Sequence, residues 1–139
     1  MTDGTAEDLS YRQGLDVVVR LLGGKGTSWA PAVLAALAYQ PLRRSDLLDE
    51  VNRAETRWGN LSHRHLLSDK VLGDTLARMQ ANGLVLRRRV QQFQPSSWYE
   101  LTPIARSLLA VLRPVAEWAR AHHAQLPGDE QQRRQDEPA

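Results

Sequence analysis

The chain has 139 residues, enough for one domain with a real core, and no cysteine, which excludes disulfides, thiolate metal sites and thiol redox sensing. No apolar run approaches the roughly 20 residues of a membrane span, and the acidic opening MTDGTAEDLS lacks the pattern of a signal peptide, so a cytoplasmic protein is expected. The formal charge of +2 hides an asymmetry: residues 9–126 hold 16 Lys/Arg against 9 Asp/Glu, while both ends are acidic. A basic body with polar ends suits a nucleic-acid binder. The expected organisation is a flexible N-terminal arm at 1–8, one domain at 9–126 and a disordered C-terminal tail at 127–139.

In chain order, Leu15, Val18, Val19 and Leu22 recur at helical spacing, predicting a helix from Tyr11 that stops at Gly23-Gly24. A second helix is expected from about Trp29, with Pro31 in its first turn, until Gln40-Pro41. Ser45 reads as the cap of a third, short helix carrying Leu47, Leu48 and Val51. Asn52 to His65 shows no period and reads as a loop. Ser68 then caps a helix with Val71, Leu72, Leu76 and Met79 on one face, ending at Asn82-Gly83. Leu84 to Val90 and Trp98 to Leu101, about a polar tip, predict a hairpin. Thr102-Pro103 caps a last helix reaching about His123.

Three helices followed by a two-stranded hairpin is the order of a winged helix–turn–helix, a mainly α fold with a small β wing. In that arrangement the helix before the hairpin enters the major groove and the hairpin flanks it. The candidate DNA contacts on the helix are Ser68, Asp69, Lys70, Gly73, Asp74 and Arg78. On the wing they are Arg88, Arg89, Gln91, Gln92, Gln94 and Ser96, with Arg87 on the same strand face as Arg89. Arg43 and Arg44 stand at a turn and are expected to touch flanking phosphate. Asp69 has two open readings, acceptance from a cytosine amino group or a favourable charge at a helix start.

The last helix carries Ile104, Leu108, Leu109, Val111, Leu112, Val115, Trp118 and Ala119 over about half its circumference, wider than a surface helix needs. A dimer face is expected from Leu15, Val18, Val19 and Leu22 with Leu108, Val111, Val115 and Trp118; burial within the same chain is the alternative. Tyr11, Trp29 and Trp118 are candidates to wall a pocket for a small aromatic ligand, or are plain core.

No enzyme is expected. Gly23-Gly24-Lys25-Gly26 imitates a phosphate loop, but Lys25 is followed by Gly and the motif's first glycine would fall at Val19. His63 and His65 lack further ligands at metal spacing, so no metal or cofactor is expected.

Five short motifs in order carry a family likeness: Leu22-Gly23-Gly24-Lys25, Pro41-Leu42-Arg43, Ser68-Asp69-Lys70-Val71-Leu72, Asn82-Gly83-Leu84-Val85 and Tyr99-Glu100-Leu101-Thr102-Pro103. From about Gly14 to His123 the chain resembles the HxlR-type winged-helix regulators. The resemblance implies a bacterial, homodimeric transcriptional regulator binding an inverted-repeat operator. It departs from that pattern in three places. Gly26-Thr27-Ser28 separate Lys25 from Trp29, the loop before Ser68 is long, and Asp69 and Asp74 stand where many relatives carry glutamine. The absence of cysteine also keeps thiol-based signalling from carrying over. A MarR- or PadR-like regulator, or a winged-helix module that binds a protein, are the alternatives.

Overall fold

The computed structural model describes residues 4–58, 65–90 and 96–126. Helix α1 (Gly4–Leu22) is followed by α2 (Ala30–Leu37), strand β1 (Leu42–Arg43), α3 (Arg44–Trp58) and α4 (Asp69–Ala81). Strands β2 (Val85–Val90) and β3 (Ser96–Leu101) lead into α5 (Pro103–His122) and a short 3₁₀ turn at His123–Gln125. The sheet is antiparallel in the order β1-β3-β2, with Leu42 opposite Tyr99 and Val85 opposite Leu101. The architecture is a winged helix: three helices against a small sheet, whose β2–β3 hairpin is the wing.

Local chemistry explains most boundaries. After α1, the Gly23 N–H donates to Val19 O at 2.7 Å, and the buried Thr27 hydroxyl lies 3.0 Å from Arg20 O and 2.9 Å from Gly24 O. Carbonyls that α1 leaves unpaired at its end are thereby satisfied. Helix α2 starts after Trp29 with Pro31 in its first turn, where a missing N–H costs nothing. Ser68 caps α4, its hydroxyl accepting from the Val71 N–H at 3.2 Å, and Gly83 at φ +77° ends that helix by taking the left-handed turn. Thr102 accepts from the Ala105 N–H at 3.2 Å and donates to Gly83 O at 2.7 Å. One side chain therefore caps α5 and ties it to the turn after α4.

The core is drawn from the middle of the chain. Trp29, Val33, Leu34 and Leu37 of the α2 region meet Leu47 and Val51 of α3 and Leu72, Leu76 and Met79 of α4. Leu84, Val85, Tyr99 and Leu101 close it from the sheet, and Ala105 is the one buried residue of α5. Val71, expected on the buried face of α4, is exposed; Thr75 is buried instead.

Four boundaries differ from the sequence reading. Helix α1 begins at Gly4 rather than Tyr11, so part of the stretch expected as an arm is helical. Ser45 lies inside α3, which starts at Arg44, and does not cap it. Helix α3 continues to Trp58 through the first half of the expected loop. Strand β1 was not expected. The tip residues Gln91, Gln92 and Gln94, and the expected tail 127–139, lie outside the described residues.

Candidate nucleic-acid interface

Helix α4 is held at its start by a clamp from α3. The Asn52 amide donates to Leu67 O at 2.9 Å, while its carbonyl accepts from the Leu67 N–H at 2.7 Å. This two-bond contact fixes the backbone immediately before Ser68, and so fixes where α4 points. With Leu72, Thr75, Leu76 and Met79 turned inward, the opposite side of α4 faces solvent. Lys70, Asp74 and Arg78, four residues apart, share that outer side, and all three are exposed. Lys70 forms no hydrogen bond or ion pair among the described residues. The Arg78 guanidinium reaches back over the loop after α1, where a Cβ at Gly26 (φ +83°) would come 3.2 Å from its Nη2.

Asp69, read as either a base contact or a helix-start charge, and Arg44, expected at flanking phosphate, are bonded to each other. Arg44 Nε donates to Asp69 Oδ1 at 3.1 Å, and Nη2 donates to Oδ2 at 3.2 Å and to the Asp69 carbonyl at 2.9 Å. Asp69 thus carries a neutralising cation in addition to the favourable field of the helix start. Together with Arg43, Ser45, Leu48, Asp49, Ser96 and Ser97, the pair borders a concavity of about 420 Å³ between α3, α4 and the base of the wing.

The register sorts the wing's arginines by face. Val85, Tyr99 and Leu101 point into the core, so Arg87 and Arg89, at the same alternation, lie on the helix side of the sheet. Arg87 is fastened there by two bonds to Ser97 Oγ, at 3.1 and 2.9 Å. Arg89 stands opposite Ser97 and has no ion pair among the described residues. Arg88 is on the other side and pairs with Glu100. Arg43 is also there, its guanidinium 4.9 Å from the centre of the Trp98 ring. A contact of that kind is a cation–π pair. Ser96, half-buried at the start of β3, accepts a bond from Trp98 Nε1 at 3.2 Å. Sequence reading therefore missed Asn52 and the bond from Arg87 to Ser97, and ranked Arg88 above Arg87.

The terminal helices present the second feature. Val111, Val115 and Trp118 of α5 are 62, 57 and 55% exposed, and Leu15 and Val19 of α1 are 48 and 59% exposed. Leu22 and Leu108 pack partly against the core, and Val18 is half-buried. Trp118 stacks on His122 with ring centres 4.9 Å apart. Trp29 belongs to the core, whereas Tyr11 is 72% exposed on α1. Among the described residues no three His, Cys, Asp or Glu side chains gather as a metal site, and no helix is long and apolar enough to cross a membrane.

Capped helix, buried opposite face and adjoining hairpin agree with comparison to known proteins, where residues 22–126 match the HxlR-like helix-turn-helix family. The chain belongs to that family. It is 29% identical over 105 residues to the HTH-type transcriptional regulator YkvN of Bacillus subtilis, covering 76% of this chain and 75% of that one. An HTH-type transcriptional regulator of Halalkalibacterium halodurans is 31% identical over 99 residues, covering 70% of this chain and 74% of its own. Among solved structures, a protein described as a MarR-family transcriptional regulator from Enterococcus faecalis superposes with a TM-score of 0.64 at 21% identity, covering 82% of this chain and 89% of that one. The redox regulator HypR in its reduced form gives 0.60 at 21%, covering 83% and 98%. At these identities the structural matches establish the fold alone. This HxlR-like chain has no cysteine, so any redox chemistry implied by such a neighbour's name has no thiol to act on here.

Proposed function

We propose that this HxlR-like protein is a homodimeric, sequence-specific DNA-binding regulator of transcription. The observation that carries the reading is the orientation of α4. Its Leu72, Leu76 and Met79 are taken up by the core, its start is fixed by Ser68 and Asn52, and its free side presents Lys70, with Arg89 presented by the wing. Helix α4 enters the major groove, and the wing takes the flanking backbone. The apolar faces of α1 and α5 are covered by a second copy. A two-fold dimer of this kind fits an inverted repeat with half-sites about one helical turn, roughly 34–36 Å, apart. The relatives' names as transcriptional regulators support the same conclusion.

A protein-binding winged helix is less well supported. That alternative leaned on two acids of α4, and one of them, Asp69, is neutralised by Arg44. An effector pocket walled by Trp29 has no support either, because that ring packs in the core. The deciding experiment is a mobility shift of the full chain on DNA flanking its own gene, over a salt series. If six phosphates are neutralised, log affinity falls with log salt at a slope of about −5. Absence of a shift, or binding indifferent to salt, overturns the reading.

A further inference from the structure

An acid at the DNA-facing start of α4 works against phosphate attraction, yet Asp69 is held by an arginine 25 positions away. Arg44 forms three bonds to it, two to the carboxylate and one to the carbonyl, through Nε and Nη2 alone. A fork of this kind fixes the plane of a guanidinium. That plane lies against Gly73, one turn further along α4. A Cβ there would stand 2.7 Å from Arg44 Nη2, closer than real Cβ contacts come, and 3.5 Å from Nη1. Glycine in a helix interior is otherwise unfavourable, and at Gly73 what it provides is room for this side chain. Arg44 Nη1 has no acceptor among the described residues, so its two N–H groups remain available.

We propose that Arg44, Asp69 and Gly73 act as one specificity-setting unit, in which Asp69 is a positioning residue that lays Arg44 flat along α4 with Nη1 offered to DNA. The inference rests on the DNA-binding reading above. Side chains of Arg44 and Asp69 are 40 and 71% exposed, and so open an ion pair adds little to folding stability. Its consequences belong to binding. The pair carries no net charge, so it adds little to the sequence-independent attraction that any free arginine would bring. A donor of fixed direction still discriminates between acceptors on the duplex. The unit thus trades general affinity for selectivity, the balance that specificity requires.

The test uses the full-length protein in anisotropy titrations against two duplexes of equal length, one selected by the wild type from a randomised pool and one scrambled, over a salt series. Melting temperature is recorded for every variant. Asp69→Asn removes the charge that balances Arg44 and half of the fork that holds it, so the scrambled duplex binds more tightly, its salt slope steepens by about one per protomer, and preference for the selected duplex falls about tenfold. Gly73→Ala displaces the guanidinium and lowers preference without lowering the melting temperature or changing the slope. In an Arg44→Ala background the same Gly73→Ala change has no further effect on preference. Arg44→Lys, which cannot make the fork, fails to restore preference. Wild-type protein that binds neither duplex overturns the DNA-binding reading and this inference with it. Wild-type protein that discriminates normally, with Asp69→Asn and Gly73→Ala indistinguishable from it, overturns the inference alone.

Discussion

The middle of the chain and its two ends solve different problems. Between Thr27 and Ala105 helices α2, α3 and α4 each bury one side, Ser68 and Asn52 fix the start of α4, Thr102 ties the turn after it to α5, and the sheet closes the core. Helices α1 and α5 are as regular in sequence, but their apolar residues stay open: Val19, Val111, Val115 and Trp118 each expose more than half of their surface. Exposed apolar side chains of that extent on the first and last helices are characteristic of a surface that a partner covers. If the terminal helices form the proposed dimer face, the contrast separates what folds the domain from what assembles it, and the two sets of residues should respond differently to substitution.

The sharpest way to break the contrast is a charge on α5. Val115→Glu places a carboxylate on the proposed dimer face, and we expect a folded monomer by light scattering, with unchanged helical circular dichroism. Losing the second half-site removes the avidity of a two-site contact, so operator affinity should fall by about 100-fold or more. A wild-type protein that is monomeric at micromolar concentration refutes the assembly argument, whatever the variant does. The matching change in the middle is Leu34→Ala, which empties a fully buried position among α2, α3 and α4. Denaturant titration should show a loss of about 3 kcal/mol. Val111→Ala, on the open face, should cost the isolated monomer little by comparison.

Asn52 sharpens the comparison further, since it belongs to the middle yet acts on the interface. Asn52→Ala leaves the Leu67 N–H and C=O without partners in a part-buried place. The expected loss is about 2 kcal/mol of stability, with weaker DNA binding because the start of α4 is no longer held. Asn52→Asp keeps the acceptor and loses the donor, and should fall between the two. Equal stability of all three proteins in urea would show that the clamp is incidental.

Elements that were legible in the sequence owe their ends to local chemistry. Ser68 and Thr102 capped the helices expected of them, and Gly83 ended α4 where a left-handed residue was required. The wing followed from alternation about a polar tip. What could not be read depends on contacts between distant residues. Leu42–Arg43 is a strand only because β3 lies beside it. The second half of α3 has no apolar period; it is carried by Leu47 and Val51 in the core, by the Glu50–Arg53 pair and by the helix already nucleated. Arg44 and Asp69 were both singled out, but separately, Asp69 as a base contact or a helix-start charge, because no local pattern announces a pair 25 residues apart. The hydrophobic stripe on α5 was visible in full, although sequence alone could not say whether it was covered within the chain.

The smallest expected effects lie on the wing, where neighbouring arginines differ only in the face they occupy. Arg88 is on the outer side and already paired with Glu100, while Arg89 is on the helix side and unpaired among the described residues. A cation that has no partner in the free protein can neutralise a phosphate without first giving up a bond. One that is paired with a carboxylate brings that acid with it, and the net charge near the DNA is close to zero. Arg89→Ala should therefore lower the magnitude of the salt slope by about one per protomer and weaken selected and scrambled duplexes alike. Arg88→Ala should change the slope by much less, and Glu100→Gln, which releases Arg88, should steepen it slightly. None of the three should alter sequence preference, because backbone contacts position a protein without reading bases. Anisotropy titrations at four or more salt concentrations would measure all of this on one set of proteins. If Arg88→Ala and Arg89→Ala lower the slope equally, the face a wing arginine occupies does not decide its role.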